Sequence, residues 1–188
     1  MAKRPFYIRA DSEVELKLVA EQDAFTLFQL IDTNRPYLRQ WLPWIDATQT
    51  ADDELAFIRS ARAQFQANEN ISCSIWYQGQ LVGTIGYHPF NQLNRSVEIG
   101  YWLAAQFQGK GIMTKACRAL VVYAFDELQF NKVEIRCAID NARSCAIPQR
   151  LGFQQEGIIR QAEWHYDHYL DLRLYGLLTD EWKQQIKP

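Results

Sequence analysis

Two glycines flank a lysine in QFQGKGIMTKA, residues 106–116, between a strand-like stretch and a helix-like one. Gly109 and Gly111 lack a Cβ, so backbone N–H groups at this turn can approach a ligand closely. The first N–H groups of a helix have no partner inside the helix and lie at its positive end, which suits a pyrophosphate, and Lys110 adds charge. The spacing alone leaves two interpretations open, a phosphate-binding turn or a turn that uses glycine for conformational freedom.

Two common nucleotide-binding motifs do not fit this turn. The Walker pattern GxxxxGK[ST] is absent from the chain. The dinucleotide pattern GxGxxG fails at its third glycine, where Thr114 stands, and Gln129 occupies the region in which an acidic residue is required. The sequence therefore supports neither of these nucleotide classes.

Glu98 is a carboxylate within the apolar stretch SVEIGYWLA. Strand alternation places it with Gly100 and Trp102, on the face opposite Val97 and Ile99. Partial burial beside a cleft would raise its pKa into the range that a general base needs. The alternative is a solvated glutamate on a half-exposed strand.

Other chemistry-bearing side chains have simpler interpretations. Cys137 alternates with apolar residues in VEIRCAI and is predicted to be a buried structural thiol, and the four cysteines include no CxxC pair. His165 and His168 have no third ligand nearby, so no metal site is predicted. Trp41 and Trp44 belong either to the core or to the wall of a substrate cleft.

The hydrophobic pattern predicts the elements that must position these groups. Period-two alternation indicates strands at 13–19, at 71–89 as two strands joined through Gln78-Gly79, at 96–104, at 132–139, and in IIRQAEW and LDLRLYGLLT. Helical spacing indicates helices after residue 20, over 50–68, from Gly109 to about Phe130, in SCAIPQRLGF and in DEWKQQIK. The order β-α-α-β-β-β-α-β-α-β-β predicts an α/β layered domain with a mixed sheet.

Composition limits the classes of partner. The 188 residues suit a single domain spanning 1–188, and the net charge of −2 predicts no nucleic-acid or membrane partner in bulk. The N-terminal stretch MAKRPFYIRA lacks the apolar core of a secretory signal, and no run of residues is long and apolar enough to span a membrane. We expect a soluble, cytoplasmic protein.

Gln106, Gly109 and Gly111 satisfy the pattern Gln/Arg-x-x-Gly-x-Gly/Ala, and here the sequence resembles the Gcn5-related N-acetyltransferase superfamily. VEIGYWL resembles the family's bulged fourth strand, and NARSCAIPQRLGF resembles the segment after its fifth strand. LFQLIDTNRPYLRQWLPW and YDHYLDLRLYGLLTDEW are similar to the ribosomal-protein N-terminal acetyltransferase branch, the Rim group. The resemblance covers almost the whole chain and implies a mixed, mostly antiparallel sheet of six to seven strands flanked by helices.

The resemblance also implies a set of site residues. Acetyl-CoA would bind with its pyrophosphate at the glycine turn and its pantetheine arm along the strand near residue 101, and no metal is implied. The implied cofactor-binding residues are Tyr101, Trp102, Leu103, Gln106, Gln108, Gly109, Lys110, Gly111, Ile112, Met113, Thr114, Asn141 and Ser144. Glu98 and Glu163 are candidate bases, with Glu163 expected in the loop between the last two strands. Ser144 could donate to the leaving sulfur, cap a helix starting close to it, or do both.

The branch resemblance predicts acetyl transfer to a protein N-terminal amine, by direct attack of the amine on the thioester. A neutral α-amine is far more abundant near pH 7 than a neutral lysine, because the pKa values are ~8 and ~10.4. Small-amine acetylation, for example of polyamines or aminoglycosides, stays open, as does a non-catalytic acetyl-CoA-binding module. Trp41 and Trp44 are the candidate substrate-binding residues. The surplus of aromatic residues also allows a homodimer face, which a sequence does not distinguish from core.

Overall fold

The computed structural model describes residues 6–185, which form eight strands and five α-helices. The strands are β1 Tyr7–Arg9, β2 Val14–Leu18, β3 Ser72–Tyr77, β4 Gln80–Tyr87, β5 Ser96–Leu103, β6 Lys132–Ala138, β7 Gln154–His165 and β8 His168–Leu178. The helices are α1 Ala24–Leu38, α2 Ala51–Gln66, α3 Ile112–Asp126, α4 Ala142–Arg150 and α5 Thr179–Gln185. The last two residues of the predicted terminal helix, 186 and 187, lie outside the described residues.

The strands form one sheet in the order β1-β2-β3-β4-β5-β6-β8-β7. All neighbours are antiparallel except β5 and β6, which are parallel. The predicted mixed, mostly antiparallel sheet is confirmed, with one strand more than expected. The additional strand is β1, which pairs Tyr7–Arg9 with residues 15–17. Three residues are too few to show a periodic pattern, so the sequence gives no signal for it.

Strands β5 and β6 pair over only a short distance and then separate. The parallel pairing joins residues 96–98 to residues 132–134. Beyond this, β5 pairs with β4 as far as Leu103, and β6 pairs with β8 as far as Ala138. The facing edges beyond residues 98 and 134 therefore enclose what we call the β5–β6 cleft. No register shift interrupts the β4–β5 pairing, so the bulge that the resemblance implied for this strand is absent from its paired region.

The two faces of β5 pack into different layers. Val97 and Ile99 belong to a core cluster that includes Leu120 of α3. Trp102, on the opposite face, is 7% exposed and belongs to a second cluster with Ile31 of α1. Because Glu98 shares the Trp102 face, it lies on the side of the sheet that α1 and α2 cover.

The backbone conformation corrects the predicted start of α3 and confirms the predicted hairpin between β3 and β4. The helix predicted from Gly109 begins instead at Ile112 and ends at Asp126, because Gly109 and Gly111 both have φ of +75° and form a turn before it. The Gln78-Gly79 hairpin between β3 and β4 is confirmed, with φ of +49° and +79° as a tight two-residue turn requires. Among residues 6–185 no helix is both long and apolar enough to cross a membrane.

Candidate active site

A cavity of about 1820 Å³ opens over the β5–β6 cleft. Its walls come from the glycine turn, the first turns of α3 and α4, the α1–α2 connection, and β7. Gln106 and Lys110 do not line this cavity. All the other site residues predicted from the sequence do, including both candidate bases and both candidate substrate-binding tryptophans.

The glycine turn presents free backbone donors to the cavity. Gly111 caps α3 in the left-handed conformation and offers no side chain to the helix N-terminus. The first turn, Ile112 to Thr114, therefore directs N–H groups toward the cavity side of the turn without a side-chain cap. Such a helix start attracts anions. A Cβ at Gly109 or Gly111 would meet no described atom within 4 Å, so left-handed φ, rather than crowding, is the reason for glycine.

Gln108 connects the turn to both helical walls of the cavity. Its amide nitrogen donates to the hydroxyl of Tyr37 on α1, and its amide oxygen accepts a 2.7 Å hydrogen bond from Arg143 on α4. Lys110 points away, with its ammonium 5.3 Å from the ring centre of Phe107. Two positive charges near the turn line the cavity, those of Arg143 and Lys115, and Lys115 is ion-paired with Asp11 and Glu13. The sequence reasoning singled out neither.

Tyr101 and Ser144 meet where the cleft reaches the start of α4. The Tyr101 hydroxyl lies 3.1 Å from Ser144 Oγ and also donates to the Ser144 carbonyl oxygen at 3.3 Å. Burial raises the pKa of Tyr101 well above its usual value, so its hydroxyl stays protonated. Tyr101 thus holds the Ser144 hydroxyl in a fixed place on the cavity wall.

The cap of α4 is Asn141 rather than Ser144. The Asn141 side chain accepts a hydrogen bond from the Ser144 backbone N–H at 3.1 Å, and the helix begins at Ala142. Pro148 lies in the last turn of the helix. The expectation that Ser144 caps the helix is therefore wrong, and its hydroxyl bonds to Tyr101 instead. Asn141 lines the cavity while it caps the helix.

Glu98 lies in a cluster of charged side chains at the point where β5 and β6 separate. Its carboxylate is 3.2 Å from Arg136 Nε of β6 and 4.0 Å from His88 Nε2. Burial raises its pKa, and the positive charges of His88 and Arg136 partly oppose this effect. The carboxylate is therefore held in place by Arg136 and still has a raised affinity for a proton, which suits a base.

Glu163 lies in strand β7 and not in the predicted loop. It pairs with Leu170, directly after a register shift between Ile159 and Glu163. Gln161, inside the shift, has φ of +50°, and its N–H donates to Asp171 at 2.7 Å. Such an irregularity turns side chains to a new direction, and Glu163 lines the cavity. Burial raises its pKa, His165 opposes the shift, and the negative charge of Glu98 adds to it.

The candidate substrate-binding tryptophans form part of the cavity wall. Trp41 and Trp44 belong to neither core cluster, and Trp44 is 42% exposed. Both line the cavity, in the connection between α1 and α2. The structure thus favours the cleft-wall interpretation over the core interpretation. Trp102 and Leu103, in contrast, bury their side chains in the two cores.

The structure places the cysteine and histidine side chains in different surroundings. Cys137 is buried, as predicted, with its Sγ 2.8 Å from Cys145 Sγ, and burial raises the pKa of its thiol. It also lines the cavity. His165 is buried, whereas His168 hydrogen-bonds to Asp167. Within residues 6–185 no group of three or more His, Cys, Asp or Glu side chains could hold a metal ion.

Sequence reasoning missed Arg136, His88 and Glu54, all of which line the cavity. The first two have no local signal, since they reach Glu98 only through strand pairing. Glu54 has one, because it lies one helical turn before Ile58 on the apolar face of α2. An acidic residue at a core-facing position is the kind of exception that a hydrophobic pattern can reveal.

Comparison with known proteins identifies the family. The family model "Acetyltransferase (GNAT) domain" matches residues 13–154. YdaF of Bacillus subtilis (strain 168) is 38% identical over 95% of this chain and 98% of its own length. The ribosomal-protein-serine acetyltransferase of Escherichia coli (strain K12) is 32% identical over 92% of this chain and 97% of its own.

A solved structure agrees in fold over nearly the same length. The ribosomal L7/L12 alpha-N-protein acetyltransferase RimL, solved with coenzyme A, superposes with a TM-score of 0.90 at 27% identity, covering 94% of this chain and 99% of that one. The family match spans the glycine turn and Glu98, and the fold match includes β7 and β8. The chain therefore belongs to the GNAT acetyltransferase family and is an acyltransferase.

Proposed function

We propose that the protein transfers the acetyl group of acetyl-CoA to the α-amine of a protein N-terminus, with a ribosomal protein as the acceptor. The observation that supports this most is the meeting of Glu98 and Glu163 in one cavity with the glycine turn. Relatives that act on ribosomal proteins include the 32% identical acetyltransferase of Escherichia coli. In this proposal the β5–β6 cleft holds the acetyl donor, and the aromatic-walled part of the cavity holds the acceptor.

The residues of the cleft fit acetyl-CoA. The uncapped start of α3 and the turn of Gly109 and Gly111 suit a pyrophosphate. The separated edges of β5 and β6 offer unpaired backbone groups to the amides of a pantetheine arm, as in strand addition. Arg143 adds a positive charge beside the turn. When bound, acetyl-CoA supplies the acetyl group as a thioester.

The chain's own residues would then move the proton. As the nitrogen–carbon bond forms and the carbon–sulfur bond breaks, a proton leaves the amine for one of the two carboxylates, Glu98 or Glu163. Both have raised pKa values, which brings them closer to the ~8 of an α-amine. The Ser144 hydroxyl, positioned by Tyr101, donates a hydrogen bond to the departing sulfur.

The test is thiol release from acetyl-CoA with defined acceptors. We expect release with peptides that carry a free N-terminal serine, none with the same peptides N-acetylated, and little with spermidine. Mass spectrometry locates the added acetyl group. Release with spermidine and not with peptides would replace the acceptor by a small amine. Thermal stabilisation by acetyl-CoA without release from any acceptor would instead indicate a binding module.

A further inference from the structure

Glu54 is a buried carboxylate on the cavity wall formed by α2. It is 4% exposed and lines the same cavity as Glu98 and Glu163. Its backbone N–H bonds to Thr50 within the helix, but among residues 6–185 no group donates a hydrogen bond or forms an ion pair with its carboxylate. Burial alone raises its pKa, to about 7. A buried acid without a partner is costly to a protein and calls for an explanation.

The start of α2 does not provide that explanation. Thr50 and Asp53 form a complete capping box, in which each side chain accepts from the other's backbone N–H. Asp52 adds an exposed acidic group to the same first turn. The helix N-terminus is therefore satisfied without Glu54, whose side chain turns inward.

The charges that share the cavity leave Glu54 without a cation. Arg136 is paired with Glu98, Lys115 is paired with Asp11 and Glu13, and Arg143 bonds to Gln108. His88 and Arg150 also line the cavity, and neither forms an ion pair with Glu54. The aromatic residues Trp41 and Trp44 line the same cavity but offer no positive charge. A positively charged group brought in by an acceptor would supply the missing partner, and a charge-assisted hydrogen bond is among the stronger ones that a protein makes.

We propose that Glu54 binds the ammonium group of the acceptor as it enters, before the ammonium releases one proton to solvent and the resulting neutral amine attacks, with its second proton passing to Glu98 or Glu163. This inference rests on the proposed function and makes Glu54 a specificity-determining residue for cationic amines. Glu54 acts on binding, so its loss raises the acceptor KM far more than it lowers kcat. Loss of a base does the opposite.

The experiment compares the wild type, Glu54→Gln and the matched control Asp52→Asn, which alters an exposed acid on the same helix outside the cavity. Each variant is assayed at pH 8 with the serine peptide. We expect the acceptor KM of Glu54→Gln to rise roughly ten- to hundredfold, with kcat within about threefold of the wild type. The KM for acetyl-CoA and both constants of Asp52→Asn should match the wild type.

A binding measurement separates charge recognition from a change of shape. Calorimetry with coenzyme A present compares the free-amine peptide with its N-acetylated form. The wild type should prefer the free amine, and Glu54→Gln should lose that preference while it binds the N-acetylated form as before. Glu54→Asp, which keeps the charge, should retain part of the preference and so serves as a second variant.

Each contrary result has its own meaning. An unchanged acceptor KM in Glu54→Gln, or equal weakening of both peptide forms, would overturn the role of Glu54 while leaving the proposed function intact. Wild-type protein that releases no thiol with any peptide would overturn the proposed function. In that case the binding comparison is made with spermidine, and failure of Glu54→Gln to weaken spermidine binding overturns this inference as well.

Discussion

The hydroxyl groups of Tyr101 and Ser144 lie 3.1 Å apart and connect β5 to α4 at the cavity. Tyr101 is partly buried, and its raised pKa keeps the hydroxyl protonated where it contacts Ser144. The distance gives the serine hydroxyl a fixed orientation toward whatever occupies the cleft. The chemical role of the Ser144 hydroxyl can be measured separately from its positioning by Tyr101.

Replacing Ser144 by alanine should lower kcat roughly ten- to hundredfold, because a hydrogen bond to the departing sulfur is lost. The KM for acetyl-CoA should change little. Steady-state kinetics with the serine peptide measure both constants. Tyr101→Phe is the companion variant, since it leaves the serine hydroxyl present but unpositioned, and a smaller loss of kcat is expected. Wild-type kcat in Ser144→Ala would remove Ser144 from the chemistry.

Glu98→Gln and Glu163→Gln should each lower kcat about tenfold or more and leave acetyl-CoA affinity unchanged. A carboxylate must be ionised to accept a proton, so kcat falls as the pH falls through its pKa. Since both pKa values are raised from the usual 4.5, that decline should lie above pH 4.5 in the wild type. A pH–rate profile of each variant and of the double variant shows which carboxylate causes the fall of kcat at low pH. Full activity in the double variant would exclude both as bases.

Glu54→Gln should stabilise the protein at alkaline pH. The folded-state pKa of about 7 exceeds the ordinary glutamate value of 4.5, so the folded state binds more protons and stability falls as the pH rises between these values. Above pH 7 the ionised wild type loses about 3 kcal/mol that the glutamine variant keeps. Urea unfolding at pH 8 and pH 4 should show the difference at pH 8 only. The same difference at both pH values would indicate packing rather than ionisation.

Gly111→Ala should weaken acetyl-CoA binding on the order of tenfold, because the left-handed turn is strained and the start of α3 shifts. Gly79→Ala is a matched control: its φ of +79° resembles the +75° of Gly111, neither Cβ meets a neighbour, and Gly79 lies outside the cavity. Both variants should lose similar unfolding free energy, about 1 kcal/mol. Only Gly111→Ala should lose cofactor affinity in calorimetry, and Gly111→Glu should lose more, because a pyrophosphate repels the added charge. Equal affinity losses would mean that the turn does not bind the cofactor.

Trp44→Ala should raise the acceptor KM roughly five- to thirtyfold through lost aromatic contact, with the acetyl-CoA KM unchanged. Phe25→Ala is the control, since Phe25 is an exposed aromatic residue on α1 outside the cavity. Kinetics with the serine peptide provide the comparison. A rise in the acetyl-CoA KM alone would assign Trp44 to the cofactor side of the cavity.

The sequence predicts those parts of the site that depend on neighbouring residues. The Gly109–Gly111 turn, the Gln78-Gly79 hairpin and the face of Glu98 all follow from conformational preference or alternation, and the structure shows all three. Ser144 shows the limit of local reasoning: several residues near a helix start can cap it, and Asn141 does so.

Features that depend on contacts between distant strands were not predicted. The register shift that turns Glu163 into the cavity needs the pairing of β7 with β8, which no local pattern encodes. Arg136 reaches Glu98 only because β5 and β6 are neighbours. The divergence of these two strands, which creates the cavity, leaves no trace in either strand's own sequence.

That divergence also has a mechanical consequence. Strands β1–β5 form one antiparallel block and β6–β8 another, and three residue pairs join the two. The join is as short as the pairing of β1 with β2, which also has three residue pairs, and the amides of residues 100–103 that face the gap have no strand partner there. A molecule that hydrogen-bonds to both strand edges would supply the missing inter-strand hydrogen bonds and so connect the two blocks. A ligand bound in this way would add to the stability of the sheet.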